Sequence, residues 1–372
     1  MTNRINIIAL AIMAIGISTA YADTGQTIFK FNGFGTLGAS HSSERRGDYV
    51  LDGTIPKGAG LSENCAFGND SRIGVQASAD LTPAITAVLQ VISEYQYDGN
   101  YHPAVEWANI KYAFTPDFNI RAGRIALPTF LNSDSRKVGY SYPWIHPPID
   151  LYRQLAITNS DGMDATYRLP IGEATNTIKA IYGKNTTDRP TSTSTARSLW
   201  GVFDTVEHGP TTFRIGYQER EASSQNRLTG VTGAWVRNSD LSAGAIYDPG
   251  NWFVMGEWIQ RESTTRRKAM YVSAGYRLDK LTPYLSYSQD SPSSFLTNAA
   301  PTAAALQSAR KAQNTVSFGT RWDFMRNVDL KLQFDLIKLS ADSNGNLVNV
   351  PATTTLYGDK FHVVSVVADF VF

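Results

Sequence analysis

The chain is poor in several things at once. It has one cysteine in 372 residues, Cys65, so no intramolecular disulfide braces it. Charge of one sign is missing: 34 Lys and Arg stand against 33 Asp and Glu, and a balance of +1 gives no basic footprint for nucleic acid. The five histidines (His41, His102, His146, His208 and His362) are scattered without metal-ligand spacing. No Gly-x-Ser-x-Gly elbow and no phosphate-cradling glycine loop occurs, so hydrolytic or nucleotide chemistry finds no motif, and no cofactor or metal is implied. Long apolar runs are missing too. After the first residues no stretch reaches the roughly 20 apolar positions of a spanning helix, although 42% of the chain is apolar. The hydrophobicity is therefore dispersed.

Residues 1–22 read as a secretory signal peptide, with Arg4 as the positive n-region, Ile7 to Ile17 as the apolar core and Ala20-Tyr21-Ala22 as the cleavage site. Residues 23–372 are then the mature chain. An exported chain with no spanning helix is either soluble or a closed barrel, because only these satisfy every backbone hydrogen bond. The dispersed apolar residues decide for the barrel. They fall at every second position, which gives strands with one lipid-compatible face and one polar face. In the terminal stretch Phe361–Phe372, for example, Val364, Val366, Ala368, Phe370 and Phe372 share a face opposite Ser365 and Asp369.

Fifteen further strands precede that one: Ile28–Ala39, Ser71–Asp80, Ala84–Tyr97, Val105–Thr115, Phe118–Ala126, Ser160–Leu169, Thr175–Lys184, Ser198–His208, Thr211–Arg220, Asp240–Tyr247, Trp252–Glu262, Ala269–Leu278, Thr282–Gln289, Asn314–Phe324 and Val328–Leu339. Tight turns such as Leu81-Thr82-Pro83, Thr115-Pro116-Asp117 and Arg326-Asn327 alternate with long polar connections. Gly230–Asn238 is also strand-like. Counting it would give an odd total, and a barrel with both ends in the periplasm needs an even one. With Asp248-Pro249-Gly250-Asn251 as a periplasmic turn, residues 222–239 become an outer loop. The expected fold is all-β: a transmembrane antiparallel β-barrel of about sixteen strands.

These paired strands, the signal peptide, the terminal Phe372 and the segment Ile120-Arg121-Ala122-Gly123-Arg124-Ile125-Ala126-Leu127-Pro128 together resemble the sixteen-stranded general porins of Gram-negative outer membranes. The resemblance spans essentially the whole mature chain. It implies a homotrimer in the outer membrane among lipid and lipopolysaccharide. It also implies that Phe372 and Phe370 carry the signal read by the barrel-assembly machinery. Finally, it implies a third outer loop folded into the lumen.

Residues 127–159 are the candidate for that loop. They are too many for a casual connection. They also carry stiff, packable residues: Pro128, Phe130, Tyr140, Tyr142, Pro143, Trp144, Pro147, Pro148 and Tyr152. The loop holds Asp134, Asp150, Arg136, Lys137 and Arg153, and the strands place Lys30, Arg72, Lys111, Arg121 and Arg321 on the lumen parity. In the porins resembled, loop carboxylates face a basic ladder on the wall, and such charged rows discriminate solutes. Arg124 has lipid-facing parity and must turn inward or snorkel.

The expected function is a water-filled pore for small hydrophilic solutes and ions. A dedicated solute channel would carry an aromatic track, and inward aromatics are few (Trp107, Tyr271 and Tyr284). An adhesin barrel would rest on Arg46-Gly47-Asp48 in the first outer loop. Replacing Phe372 by Ser is expected to reduce the yield of inserted barrel while the channels that do form keep normal conductance. Normal insertion yield would remove the assembly role.

Overall fold

The structure is a computed structural model and describes residues 28–292, 294–296 and 311–372; the signal-peptide segment lies outside the described residues. Sixteen antiparallel strands make one closed wall. The first eight are β1 (Ile28–Ser42), β2 (Arg72–Thr82), β3 (Ile85–Tyr95), β4 (Tyr101–Ala113), β5 (Phe118–Ala126), β6 (Asn159–Ile171), β7 (Ala174–Asp188) and β8 (Ser192–His208). The second eight are β9 (Thr211–Asn226), β10 (Val236–Tyr247), β11 (Trp252–Glu262), β12 (Thr265–Tyr276), β13 (Leu281–Asp290), β14 (Gln313–Met325), β15 (Val328–Leu339) and β16 (Lys360–Val371). Each strand pairs with its sequence neighbours, and β16 returns to β1 in the register Gly35↔Phe370. Beyond the last ladder pair, Phe372 N–H donates to the Gly33 carbonyl at 2.9 Å and Gly33 N–H to the Phe372 carbonyl at 2.8 Å. No edge is left for lipid to meet.

The start of β1, the C-terminal Phe372 and the turns at 83–84, 114–117, 172–173, 209–210, 248–251, 277–280 and 326–327 lie at one rim. The long connections 43–71, 127–158 and 340–359 lie at the other, as do the described ends of the connection between β13 and β14. Asp248–Asn251 is thus a short-turn connection at the rim of the termini, as the parity argument requires. One expectation needs correction. The outer loop expected over 222–239 shrinks to 227–235, because β9 and β10 continue past the apolar belt as a polar hairpin with Arg220↔Asn238, Glu221↔Arg237 and Ala222↔Val236 paired. Hydropathy fades where the strands leave the lipid, but the hydrogen-bond ladder continues.

The burial pattern identifies the solvent on each face. On β15, Leu330, Leu332 and Leu336 point outward and are 38%, 52% and 49% exposed, whereas the alternating Asp329 and Lys331 are fully buried inside. A soluble sandwich has the opposite arrangement, and among the described residues no helix is long and apolar enough to cross a membrane. Aromatic rings collect at the short-turn rim: Trp322 against Phe324 (centroids 5.4 Å), Phe370 with Phe372 (6.4 Å), Phe114 on Phe118 (5.3 Å) and Tyr247 on Trp252 (5.3 Å), with Tyr276 exposed nearby. Such a girdle suits the headgroup boundary.

A recurring cross-strand pair stiffens this wall. Phe34 lies opposite Gly74, Phe203 opposite Gly216, Phe253 opposite Gly275, Tyr284 opposite Gly319 and Phe370 opposite Gly35. In each pair the ring lies flat over the space a Cβ would take; at Gly35 that Cβ would meet Phe370 Cζ at 2.3 Å. Gly35→Leu is therefore expected to destabilise the folded barrel by about 1–3 kcal/mol through overpacking. Its heat-dependent gel shift should move to lower temperature, and an unchanged transition would show that the ring can move aside.

Candidate functional site

The inner wall is not uniformly polar. Ile181, Leu199, Phe203, Phe253, Ile259, Tyr271 and Tyr284 form an apolar patch on the lumen side of β7, β8 and β11–β13. Residues 127–158 leave β5 and pack Leu127, Phe130, Trp144, Leu151, Tyr152 and Leu155 onto it. Each large side chain so buried contributes about 1.5–3 kcal/mol, enough to hold the loop against the inner wall. Phe203 and Phe253 were missed among the inward aromatics, although their alternation with the outward Val202 and Val254 was the available signal. These aromatics serve as a seat for the loop.

Hydrogen bonds fix the loop around the wall. Arg214 of β9 donates to the carbonyls of Pro128 (2.5 Å) and Phe130 (3.2 Å). Glu257 of β11 accepts from the Leu131 amide (2.7 Å), the Tyr152 hydroxyl (2.6 Å) and the Tyr271 hydroxyl (3.0 Å). Trp144 Nε1–H reaches Ser273 Oγ of β12 at 2.9 Å and Ser286 Oγ of β13 at 3.2 Å. On the far side, Arg321 of β14 donates to the Tyr140 carbonyl (2.6 Å), and Lys331 of β15 donates to the Gly139 carbonyl (2.7 Å) and to Asp369 of β16 (2.8 Å). Gly139 approaches this wall so closely that a Cβ would fall 2.0 Å from Asp369 Oδ1.

The expected wall cations are each met by a carboxylate or left apart. Lys30 pairs with Asp80 at 3.1 Å and is exposed near the short-turn rim, away from the loop. Arg72 lies 4.0 Å from Glu94, which also holds Lys137 of the loop. Arg121 grips Asp164 with Nε–H bonds of 3.0 Å to both oxygens. Arg321 is paired with Asp323 (2.7 Å) and Asp329 (3.2 Å). Lys111 sits beside Arg121 in the ladder, opposite Thr86. The bare basic ladder is therefore a network of ion pairs.

Among the loop residues, Asp134 stands within electrostatic reach of Arg121, Lys179 and Arg214. Asp150 does not face a basic wall. It is fully buried against Ser288 (2.7 Å) and Gln313 (2.7 Å), and burial pushes its carboxyl above the usual value. Arg136 is spent on the carbonyls of Leu155 and Tyr152, both at 2.9 Å, and Arg153 on the Val50 carbonyl of the first outer loop at 2.8 Å. Arg124 is neutralised by Asp161 at 2.7 Å and is among the residues lining the cavity beside the loop. Lys179, Arg214 and Lys331 were the cations that sequence reasoning passed over; their alternation with lipid-facing neighbours was the available signal. Arg46-Gly47-Asp48 is not displayed: Asp48 is fully buried under Ser62 and Asn349, and Arg46 is tied to Glu44 and Asp359.

An open cavity of about 400 Å³ lies between the loop and β3–β5, lined by Arg72, Glu94, Tyr95, Glu106, Arg136 and Lys137 among others. No sequence family and no curated protein matches this chain. Solved structures do. The outer-membrane channel DcaP of Acinetobacter baumannii superposes with a TM-score of 0.61 at 12% identity, over 95% of this chain and 100% of that one. OmpF of Salmonella typhi, in complex with daunomycin, gives 0.59 at 14% identity over 94% and 99%. An anion-selective porin from Comamonas acidovorans gives 0.58 at 12% over 93% and 100%. The chain has the fold of the outer-membrane porins. As in those barrels, apolar side chains cover the outward face of the wall, the arrangement a membrane-spanning sheet requires.

One anchor of the loop is sensitive to pH. His146 Nδ1 lies 3.0 Å from Asp70, and its Nε2 lies 3.2 Å from the Tyr49 hydroxyl. Burial alone would push the imidazole down, but Asp70 raises it overall above its ordinary value. A raised pKa stabilises the folded state at low pH and loses that contribution as pH rises through the folded value. The stability gap between the native chain and His146→Gln is therefore expected to be largest below about pH 6.5 and to shrink at alkaline pH. Thermal unfolding across pH 5–9 measures it; a gap independent of pH would make the imidazole a neutral packing group.

Proposed function

We propose that the protein is an outer-membrane pore through which small hydrophilic solutes and ions diffuse, narrowed by residues 127–158. The reading is carried by the loop's placement: a segment bonded to the inner faces of β9, β11–β15 and, through Lys137, of β3 lies across the lumen. Asp134 on one side and Lys111, Arg121, Lys179 and Arg214 on the other then set a transverse field at the narrowest part. A hydrated solute is selected by size first and by this field second. The trimer remains part of the proposal, since one of the solved barrels of this fold, OmpT of Vibrio cholerae, is described in a trimer form.

Because Arg121 is paired with Asp164, Arg121→Gln removes a cation and also frees a carboxylate. Ion preference is expected to move toward cations, with reversal potentials in a KCl gradient as the readout. The shift should fade in 1 M salt, where screening shortens to about 3 Å. Excision of 133–141 should raise single-channel conductance. If the reversal potential and the conductance stay as in the native chain, the narrowing belongs elsewhere.

A further inference from the structure

We propose that the long-loop end of the lumen holds a binding site for small oxyanions, solutes bearing a carboxylate or phosphate group, built from Arg153, Arg189, Arg267 and Lys311. It rests on the pore reading and names a class of solute for it. The four cations come from four separate segments. Arg153 belongs to the inner loop, Arg189 to the β7–β8 turn, Arg267 to β12 and Lys311 to the end of the β13–β14 connection. Their convergence is geometric. Arg267 Nη2–H donates to the Lys311 carbonyl at 3.0 Å. Arg153 holds the Val50 carbonyl at 2.8 Å, and Arg189 Nη1 lies 2.8 Å from where a Cβ on Gly53 would stand, so the first outer loop gathers both guanidiniums.

Acidic partners are too few. Asp290 is claimed by Arg267 and also faces Arg153, while Asp52 accepts from the Thr54 amide at 2.7 Å and is shared among Arg153, Arg136 and Lys137. Arg220 of β9 and Arg261 of β11 share the single carboxylate of Asp240 on β10. Two donors in the cluster, Arg153 Nη2 and Arg267 Nε, are buried and have no hydrogen-bond partner among the described residues. Buried donors in native proteins are almost always satisfied, and an oxyanion offers several acceptors to guanidinium and ammonium groups at once. The Lys311 amine is correspondingly pushed down to about 8, by burial first and then by Arg153, Arg267 and Arg189. An anion among these groups would favour the charged amine.

Sulfate, whose charge is constant across neutral and alkaline pH, is the probe. Added on the long-loop side of single channels in KCl, it should produce a saturable block. In Lys311→Gln and in Arg189→Gln the half-blocking concentration should rise about tenfold, the loss of one charge-assisted contact. The block should weaken from pH 7 to 9 as Lys311 deprotonates amid Arg153, Arg189, Arg267 and Asp290. Lys311→Arg should keep the block and lose that pH dependence. Equal block in native chain and variants, or none in an open channel, overturns the site. If no channel opens at all, the pore reading fails instead, and calorimetric titration of sulfate into the detergent-solubilised barrel decides the site alone.

Discussion

Everything in this molecule depends on the pairing of β16 with β1. A wall in lipid has no water to satisfy its backbone, so a sheet of this size is tolerable only when closed. Closure is made by the register that sets Gly35 against Phe370 and by the two bonds between Gly33 and Phe372. The same step lays the terminal aromatic rings over glycines of the first strand, so chain order and ring packing are coupled.

Once closed, the barrel turns the usual solvent logic inside out. Leucines cover the exterior, and ionisable groups are confined to a lumen partly filled by its own loop. Confinement makes unpaired charge costly, which explains why Arg121, Arg321 and Lys331 each have a carboxylate partner on the wall. It also explains how an inward loop is retained. Its carbonyls at Gly139 and Tyr140 accept hydrogen bonds from Lys331 and Arg321, and those at Pro128 and Phe130 from Arg214, while its aromatics settle on the apolar patch. Wall charges therefore position the loop as well as shape the field. Pairing is incomplete at the long-loop end, where Arg153 Nη2 and Arg267 Nε have no partner among the described residues.

Period-two alternation made the strands legible in the sequence, because one face of each strand meets lipid and the other water. The positions of the short turns were legible for the same reason, down to Asp248–Asn251. The hairpin from β9 to β10 was underestimated, since above the lipid both faces meet water and the alternation vanishes while the ladder continues. Residues 127–158 stood out by length and stiffness, and Asp134 and Arg121 by charge and parity.

What the sequence determined by itself was the barrel, its approximate strand number and the presence of an unusual third loop, all consequences of local periodicity and chain economy. Only tertiary structure decided which charges meet. Asp150 looks like a lumen carboxylate until its burial against Ser288 and Gln313 is seen, and Arg72 and Arg121 look like free cations until β3 and β6 bring Glu94 and Asp164 beside them. The reason is physical. Parity tells which side of the wall a side chain faces, but pairing depends on the shear between strands and on the path of a loop across the lumen, and neither is a property of any local stretch of chain.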